Sequence, residues 1–538
     1  MNNRVITAIL SGLLFIFLFS SCGKANNAGS PTGTINRVTT PDTYPLQTED
    51  TITWWVQLHA LVADNYKSLN DTPFAQALRD KTGVNIEFVH PPRNEEEERL
   101  ELMLASDSLT DIIECDWSNE VSNGITQAIS SGAIIQLDDI FKKISPNMKK
   151  ILEENPDIAR AIKTPDRHYA YYPMIRGDKR LATFQGWMVR TDLMEQAGVY
   201  EMPATIGEFE ELLYRFQAIG VEKPVSVNSG YLVSKDNISL MGAFGISGGF
   251  YLDDGVVKYG PYQPEFQDFI KLMAKWYADG ILDQQFADNS QTRQGIDVGN
   301  GKIGAVYASG GGHFGAWLPQ LFANVPTAEM KPMPYLVCNK GERPQFGQYG
   351  NLCLSYGAAI TKSCKNIEIA ARVLDFGYSE EGHNLYNFGI EGVSYQMTNG
   401  LPTYTAAVTD REKNGGVSVG EGISKYARAP YFGAFVQDFN YIVQYYQFQA
   451  QKDALEVWSD TDAYKHVMPT MIMTKEETDE YPKIMNDIIV AQRELAIKYI
   501  NGQLDANDMD AFYSNLKELG IEKAIKIQQA AYDRYINQ

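Results

Sequence analysis

Residues 51–115 alternate strand and helix signals, and no other feature constrains the fold of this chain as strongly. Residues 51–57 (TITWWVQ) are β-branched and aromatic. Residues 73–82 (PFAQALRDKT) carry helical apolar spacing and stop at Gly83, and 84–89 (VNIEFV) form a second strand signal. Residues 95–105 predict a helix whose acidic start suits the positive end of the helix dipole, and 109–115 (LTDIIEC) a third strand. Strand–helix–strand–helix–strand in so short a span implies an α/β fold with a parallel sheet covered by helices. In open sheets of this kind ligands bind just past the carboxyl ends of the strands. That rule points to Trp55, Gln57 and His59 after the first strand, and to Asp116, Trp117 and Ser118 after the third.

A second α/β region begins near Tyr169. It has strand signals at 182–191, 302–308 and 352–360, and helix signals at 203–216, 264–279 and 367–378. From Asp453 onward the chain reads as helical, with breaks at Gly502 and Gly520 between 482–500 and 508–535. The 538 residues leave room for two or more domains. A hydrophobic content of 44% with 21% charged residues excludes a disordered, collagen-like or multi-span membrane chain. Against 67 acidic side chains stand 47 basic ones, a net charge of −20, so there is no basic footprint for nucleic acid or anionic lipid. This charge says little about a small ligand, for which a neutral solute is the expectation. Aromatic residues reach 12%; most serve a core, but rings also suit the flat apolar faces of carbohydrates.

The first residues read as an address. Arg4 precedes an uncharged apolar run over 5–19, closed by Ser20, Ser21, Cys22 and Gly23. The run is shorter than the ~20 residues a membrane span needs. Its end resembles a bacterial lipobox, which implies cleavage before Cys22 and lipid attachment there; Phe19 stands where Leu is usual. Residues 1–22 are thus a signal peptide, and 23–47, rich in Gly, Asn, Ser, Thr and Pro, a flexible tether. The remaining cysteines, Cys115, Cys338, Cys353 and Cys364, lack metal-ligand spacing and are expected as buried free thiols, although Cys338 and Cys353 could pair.

Catalytic and cofactor motifs fail on inspection. Around Gly299-Asn300-Gly301-Lys302 a phosphate loop would need Gly at Ile296 and Ser or Thr at Ile303. Residues 245–249 (GISGG) match G-x-S-x-G, but a helix signal precedes and a strand signal follows, the reverse of a nucleophile elbow. Six histidines show no metal spacing, and 505–510 (DANDMD) lack the glycine of a calcium loop. No cofactor or metal is expected, and no residue is cast as catalytic.

Several segments in order resemble the extracellular solute-binding proteins of family 1, lipid-anchored receptors that deliver carbohydrate-type solutes to ABC importers. Residues 109–113 (LTDII) resemble the family's "PDII" strand, with Thr110 for Pro. Residues 192–199 (DLMEQAGV) and 203–209 (PATIGEF) are similar to "DLLEKAGV" and "P.TWDEF", with Ile206 for Trp. Residues 276–283 (WYADGILD) resemble "YAEGLID", and 301–306 the "GKAAM" strand. Residues 379–382 (SEEG), 389–395 (GIEGVSY) and 530–535 (AAYDRY) resemble a long oligosaccharide-type lipoprotein subgroup.

The resemblance implies a two-lobed periplasmic-binding-protein-like fold of type II, with a hinge between lobes and a helical C-terminal part. Lobe one is placed at 48–172 and 355–398, lobe two at 173–354 and 399–538. Some relatives carry a calcium loop where this chain has 217–225 (QAIGVEKPV), which lacks the ligand run. Further contacts follow from this frame: Tyr172 and Arg176 at the first crossover, and His313 and Trp317 after the triple glycine. Tyr349 and Asn351 sit at the second crossover, and Glu391 and Tyr395 in the GIEGVSY segment. Trp54 and Trp55 point to opposite strand faces, so at most one should meet ligand. The implied partners are an oligosaccharide, the permease subunits of an ABC importer and, through Cys22, the outer face of the cell membrane. The protein is expected as a monomer that does not bind nucleic acid. Two rivals are a glycan-acting lipoprotein hydrolase and a helical glycan-binding lipoprotein; the early strand content counts against the second. Replacing Cys22 with Ala is expected to shift the expressed protein from the detergent phase to the aqueous phase on phase partitioning.

Overall fold

Strand β1 (Thr51–Val56) pairs in parallel with β2 (Asn85–Val89), Trp54 opposite Phe88, and with β3 (Ile112–Asp116) on its other side. This is the parallel unit that the alternation implies. Both faces are covered, so Trp54 and Trp55 are both buried. The structure is a computed structural model describing residues 43–106, 108–122, 124–232, 240–288 and 290–538. The signal segment, Cys22 and most of the expected tether lie outside the described residues.

Local chemistry defines the helix Pro73–Thr82. The Thr72 hydroxyl accepts the Ala75 N–H, and Pro73 opens the first turn. Gly83 ends it at φ 72°, where a Cβ would stand 2.2 Å from the Leu46 carbonyl. Leu46 N–H bonds Thr82 and the Tyr44 hydroxyl bonds the Arg372 carbonyl, so the end of the expected tether is already fastened to the body.

After β4 (Tyr172–Arg176) the chain leaves the first sheet. It then forms β5 (Gln185–Arg190), β6 (Lys223–Ser226), a hairpin of β7 (Phe250–Asp253) and β8 (Val256–Tyr259), β9 (Ile303–Ser309) and β10 (Met330–Met333). A second sheet has the order β10-β5-β9-β6, with β6 parallel to β9 and the other pairs antiparallel. The family-like segment 203–209 is a capping box: Thr205 and Glu208 start the helix Ile206–Ala218. A second crossing leads to β11 (Cys353–Ile360), antiparallel between β3 and β4. A hairpin of β12 (Tyr395–Thr398) and β13 (Leu401–Tyr404) follows, then β14 (Val436–Gln437), parallel to β4 at the sheet edge. The third crossing returns to the second sheet through helix Gln449–Ser459. There the Trp458 indole donates to the Trp187 carbonyl at 3.1 Å and presses on Gly186, where a Cβ would lie 2.3 Å from the ring.

Two α/β lobes are therefore joined by three crossings. Three details differ from the expected division: β4 runs on to Arg176, β11 begins at Cys353, and β14 sits in the first sheet although 399–538 was placed in lobe two. A two-residue strand has no periodicity to read. The helix Lys475–Ile500 starts ahead of the expected 482, capped by Thr474 and Glu477, with Pro482 inside it. Its first turns are polar (KEETDE) and carry no apolar spacing. Helices Asp508–Glu518 and Ile521–Ile536 follow, broken near Gly502 and at Gly520 as expected. Among the described residues no helix is long and apolar enough to cross a membrane. Cys115, Cys353 and Cys364 are buried free thiols, whereas Cys338 is free but exposed, near the Ala243 carbonyl.

A buried ion pair fastens the loop that leads into β14 to the first sheet. Arg428 donates to both oxygens of Glu114 on β3, at 2.6 and 3.1 Å, with side-chain exposures of 2% and 0%. The Tyr356 hydroxyl on β11 adds a bond to Glu114 at 3.1 Å, and Arg428 also donates to the Phe432 carbonyl at 2.7 Å. Burial alone would depress the Arg428 pKa, but the Glu114 carboxylate, with Tyr431 and Tyr356, holds it above the ordinary arginine value. Arg428→Met, which strands a buried carboxylate, is expected to lower the unfolding free energy by about 3–5 kcal/mol. The double variant Glu114→Leu/Arg428→Met should recover most of that loss, as measured by urea denaturation.

Candidate functional site

The carboxyl ends of β1, β4 and β14 open on a groove between the two sheets. His59 follows β1, Arg176 ends β4 and Gln437 ends β14. The opposite wall comes from the first crossing, with Arg180, Thr183 and Phe184, from the loop that leads into β14, with Tyr431 and Phe432, and from the third crossing, with Tyr441 and Tyr446. The groove holds about 250 Å³. Phe184 also lines an adjoining cavity of about 340 Å³ that contains Tyr251, Phe346, Tyr349 and Asn351, so the two meet across one ring.

Each wall residue is held by its neighbours. His59 caps the short helix Ala60–Ala63, its Nδ1 accepting the Leu61 N–H at 3.3 Å, which leaves its proton on Nε2. Its ring stacks on Tyr431 at 4.9 Å. Burial, with the Arg428 charge adding, lowers the His59 pKa to about 4, so the imidazole is neutral at physiological pH. Arg180 is neutralised: it grips Asp178 at 2.7 and 2.9 Å, reaches Glu456 at 3.2 Å and covers Phe439. Gln437 donates to the Ala429 carbonyl and to the Tyr441 hydroxyl. Thr183 Oγ1 is buried and has no hydrogen-bond partner among the described residues.

The triple glycine after β9 has a packing reason. A Cβ at Gly310 would lie 2.5 Å from the Tyr446 hydroxyl, and one at Gly311 would lie 2.9 Å from the Tyr445 ring. Only glycine lets the third crossing lie this close to the second sheet.

Of the residues singled out from sequence, His59 and Arg176 line the groove, and Tyr349 and Asn351 line the adjoining cavity. Trp117 and Ser118 belong to another cavity, of about 190 Å³, with Tyr171 and Tyr481. The Trp117 ring is buried and its indole donates to the Gly357 carbonyl. Trp55 and Tyr172 face the core, the Tyr172 hydroxyl bonded to Ser145 at 2.6 Å, because strands covered on both faces leave neither side to the groove. Gln57 is exposed and bonds Glu96. Asp116 is taken up by its own turn and by Ser355. His313 stacks on Trp317 at 4.9 Å and bonds Ser309, and Trp317 packs against Gly295. Glu391 and Tyr395 line a separate surface cavity with Lys81, Glu380 and Glu381.

Sequence reasoning missed Phe184, Tyr431, Phe432, Tyr441 and Tyr446. A signal was present: residues 431–448 contain eight aromatic side chains, in a stretch without strand or helix alternation. No Asp or Glu lines the groove or the adjoining cavity among the described residues. In that cavity Ser247 and His466 both appear, but His466 Nε2 has no partner, so no Ser–His pair forms. A 3₁₀ turn precedes Ser247 and β7 follows it, which is not a strand–helix elbow. The only carboxylate in 217–225, Glu222, is paired with Lys302, and among the described residues no cluster of three or more metal-type ligands occurs.

The chain belongs to the bacterial extracellular solute-binding protein family, whose model matches residues 32–384. It is 24% identical to the fructooligosaccharide ABC transporter substrate-binding protein FusA of Streptococcus pneumoniae serotype 4, over 96% of each chain. The fold is shared with the alginate-binding protein AlgQ2, at TM-score 0.69 and 22% identity over 90% of this chain and 98% of that one. It is also shared with an HMO-binding ABC-transporter-associated solute-binding protein of Bifidobacterium longum infantis, at TM-score 0.73 and 18% identity over 90% and 99%.

His59, neutral in the fold and free to protonate near pH 6.5 once unfolded, makes the unfolded state bind more protons between those values. Its contribution to stability is present above about pH 6.5 and is lost as pH falls through about 4. His59→Phe is expected to flatten the acid limb of the stability curve, and the imidazole resonances of His59 should not titrate above pH 5 by NMR.

Proposed function

We propose that this protein is a receptor, lipid-anchored through Cys22 on the outer face of a bacterial membrane, that clamps an oligosaccharide between its lobes and presents it to the permease of an ABC importer. The groove carries this reading. Rings of Phe184, Tyr431, Phe432 and Tyr441 surround guanidinium, amide and imidazole donors where two sheets converge. Sugar rings offer apolar faces to aromatic side chains, and their hydroxyls take planar donors and acceptors. Names among the relatives, fructooligosaccharide, alginate and HMO, agree in being glycans.

The walls combine the first sheet with two of the crossings, so a ligand filling the groove favours the lobe arrangement in which it makes the most contacts. The three crossings are the segments that would absorb the rotation. A permease that reads the closed state would then sense occupancy. That no Asp or Glu among the described residues lines the groove supports capture without turnover, because glycoside hydrolysis uses two carboxylates roughly 5–9.5 Å apart.

Titration calorimetry against an oligosaccharide panel, with product analysis of the same samples, tests the proposal. Saturable binding with a raised Tm and no shorter sugars is the expected result. Steady release of shorter sugars at catalytic protein concentration would overturn it. Phe432 is 48% exposed, so Phe432→Ala should leave Tm nearly unchanged while weakening binding about tenfold, or ~1.4 kcal/mol.

A further inference from the structure

Arg176 stands apart from the other cations near the groove. Its guanidinium is partly buried at the end of β4, donates to the Asn351 carbonyl at 2.9 Å and lies 5.4 Å from the centre of the Phe184 ring. Space is cleared for it: a Cβ at Gly350 would stand 2.5 Å from Arg176 Nη1. Among the described residues no carboxylate lies within 4 Å of it, whereas Arg180 has two and Arg428 has one. The titratable groups that face it are the phenols of Tyr441, on the groove side, and Tyr349, on the side of the adjoining cavity. Tyr441 accepts its bond from Gln437 Nε2, which leaves the phenolic proton free to donate.

A guanidinium keeps its charge at any physiological pH, and a half-desolvated charge without a counter-ion is costly. Arg180 next to it is balanced by Asp178 and Glu456, whereas Arg176 has the Asn351 carbonyl and the Phe184 ring beside it. In a chain of net charge −20 the groove walls instead contain two guanidinium groups and no carboxylate. Carboxylates and sulfates meet a guanidinium in two parallel charge-assisted bonds, roughly twice as strong as neutral ones.

We infer that the solute is an acidic oligosaccharide whose anionic substituent, a carboxylate or a sulfate ester, is bound by Arg176 with the Tyr441 hydroxyl beside it. This rests on the receptor reading above and narrows its ligand. It departs from the neutral solute expected from the sequence, because the overall charge does not report the local balance at one groove.

Calorimetry on the full mature chain with matched ligands tests it. The carboxylate arm compares trigalacturonate with its methyl ester, the sulfate arm compares sulfated chondroitin oligosaccharides with their desulfated forms, and a third arm uses neutral fructo- and malto-oligosaccharides. In one of the first two arms the acidic form should bind at least tenfold more tightly than its neutral counterpart. Arg176→Gln should abolish that advantage, and Arg176→Lys should keep part of it. The wild-type comparison stands even if a variant fails to fold. Neutral oligosaccharides binding as well as or better than every acidic one would overturn the inference and leave the receptor reading intact. If no glycan in any arm bound, both would fall.

Discussion

Arg428 and Glu114 meet in the interior although 314 positions separate them in the chain. The pair joins an inner strand of the first sheet to the loop that leads into β14, and the same guanidinium holds the Phe432 carbonyl. Much of the groove depends on it. Tyr431 lies against this cation and under His59, and Phe432 rises from the fastened loop toward Tyr356. A loop held by water-exposed bonds would leave these rings mobile. One held by a buried bidentate pair presents them at a fixed height.

The second lobe meets this wall through contacts of a different kind. Trp458 seated on Gly186, and Tyr445 and Tyr446 seated on Gly310 and Gly311, bring the third crossing against the ends of β5 and β9. Glycine matters here for the approach it permits. The groove is thus built from strand ends of the first sheet together with crossing segments, so several of the residues that line it are also residues that join the lobes.

The fold was largely legible in the chain because it rests on local patterns. The βαβαβ start, the breaks at Gly502 and Gly520 and a helix within 203–216 each follow from periodicity, and each holds in the structure, the last as Ile206–Ala218. The polar start of helix Lys475–Ile500 and the two-residue strand β14 escaped, since neither carries a period. The site was less legible. The rule that ligands bind past strand ends led to His59, and the crossover expected from the resemblance led to Arg176, but neither could tell core-facing Trp55 and Tyr172 from groove-facing neighbours. One residue of register decides that, and register is set by pairing with distant strands.

Sequence alone determined an α/β chain that resembles the solute-binding family, in which 299–302, 245–249 and 505–510 do not meet the phosphate-loop, nucleophile-elbow and calcium-loop patterns. Those conclusions depend on residues close together in the chain. Tertiary structure decided which aromatic rings face the groove, which arginine lacks a counter-charge and which carboxylate is buried to hold the wall. These are matters of neighbourhood between residues tens to hundreds of positions apart. A side chain's charge balance and burial belong to its surroundings in space, and only the assembled fold supplies them.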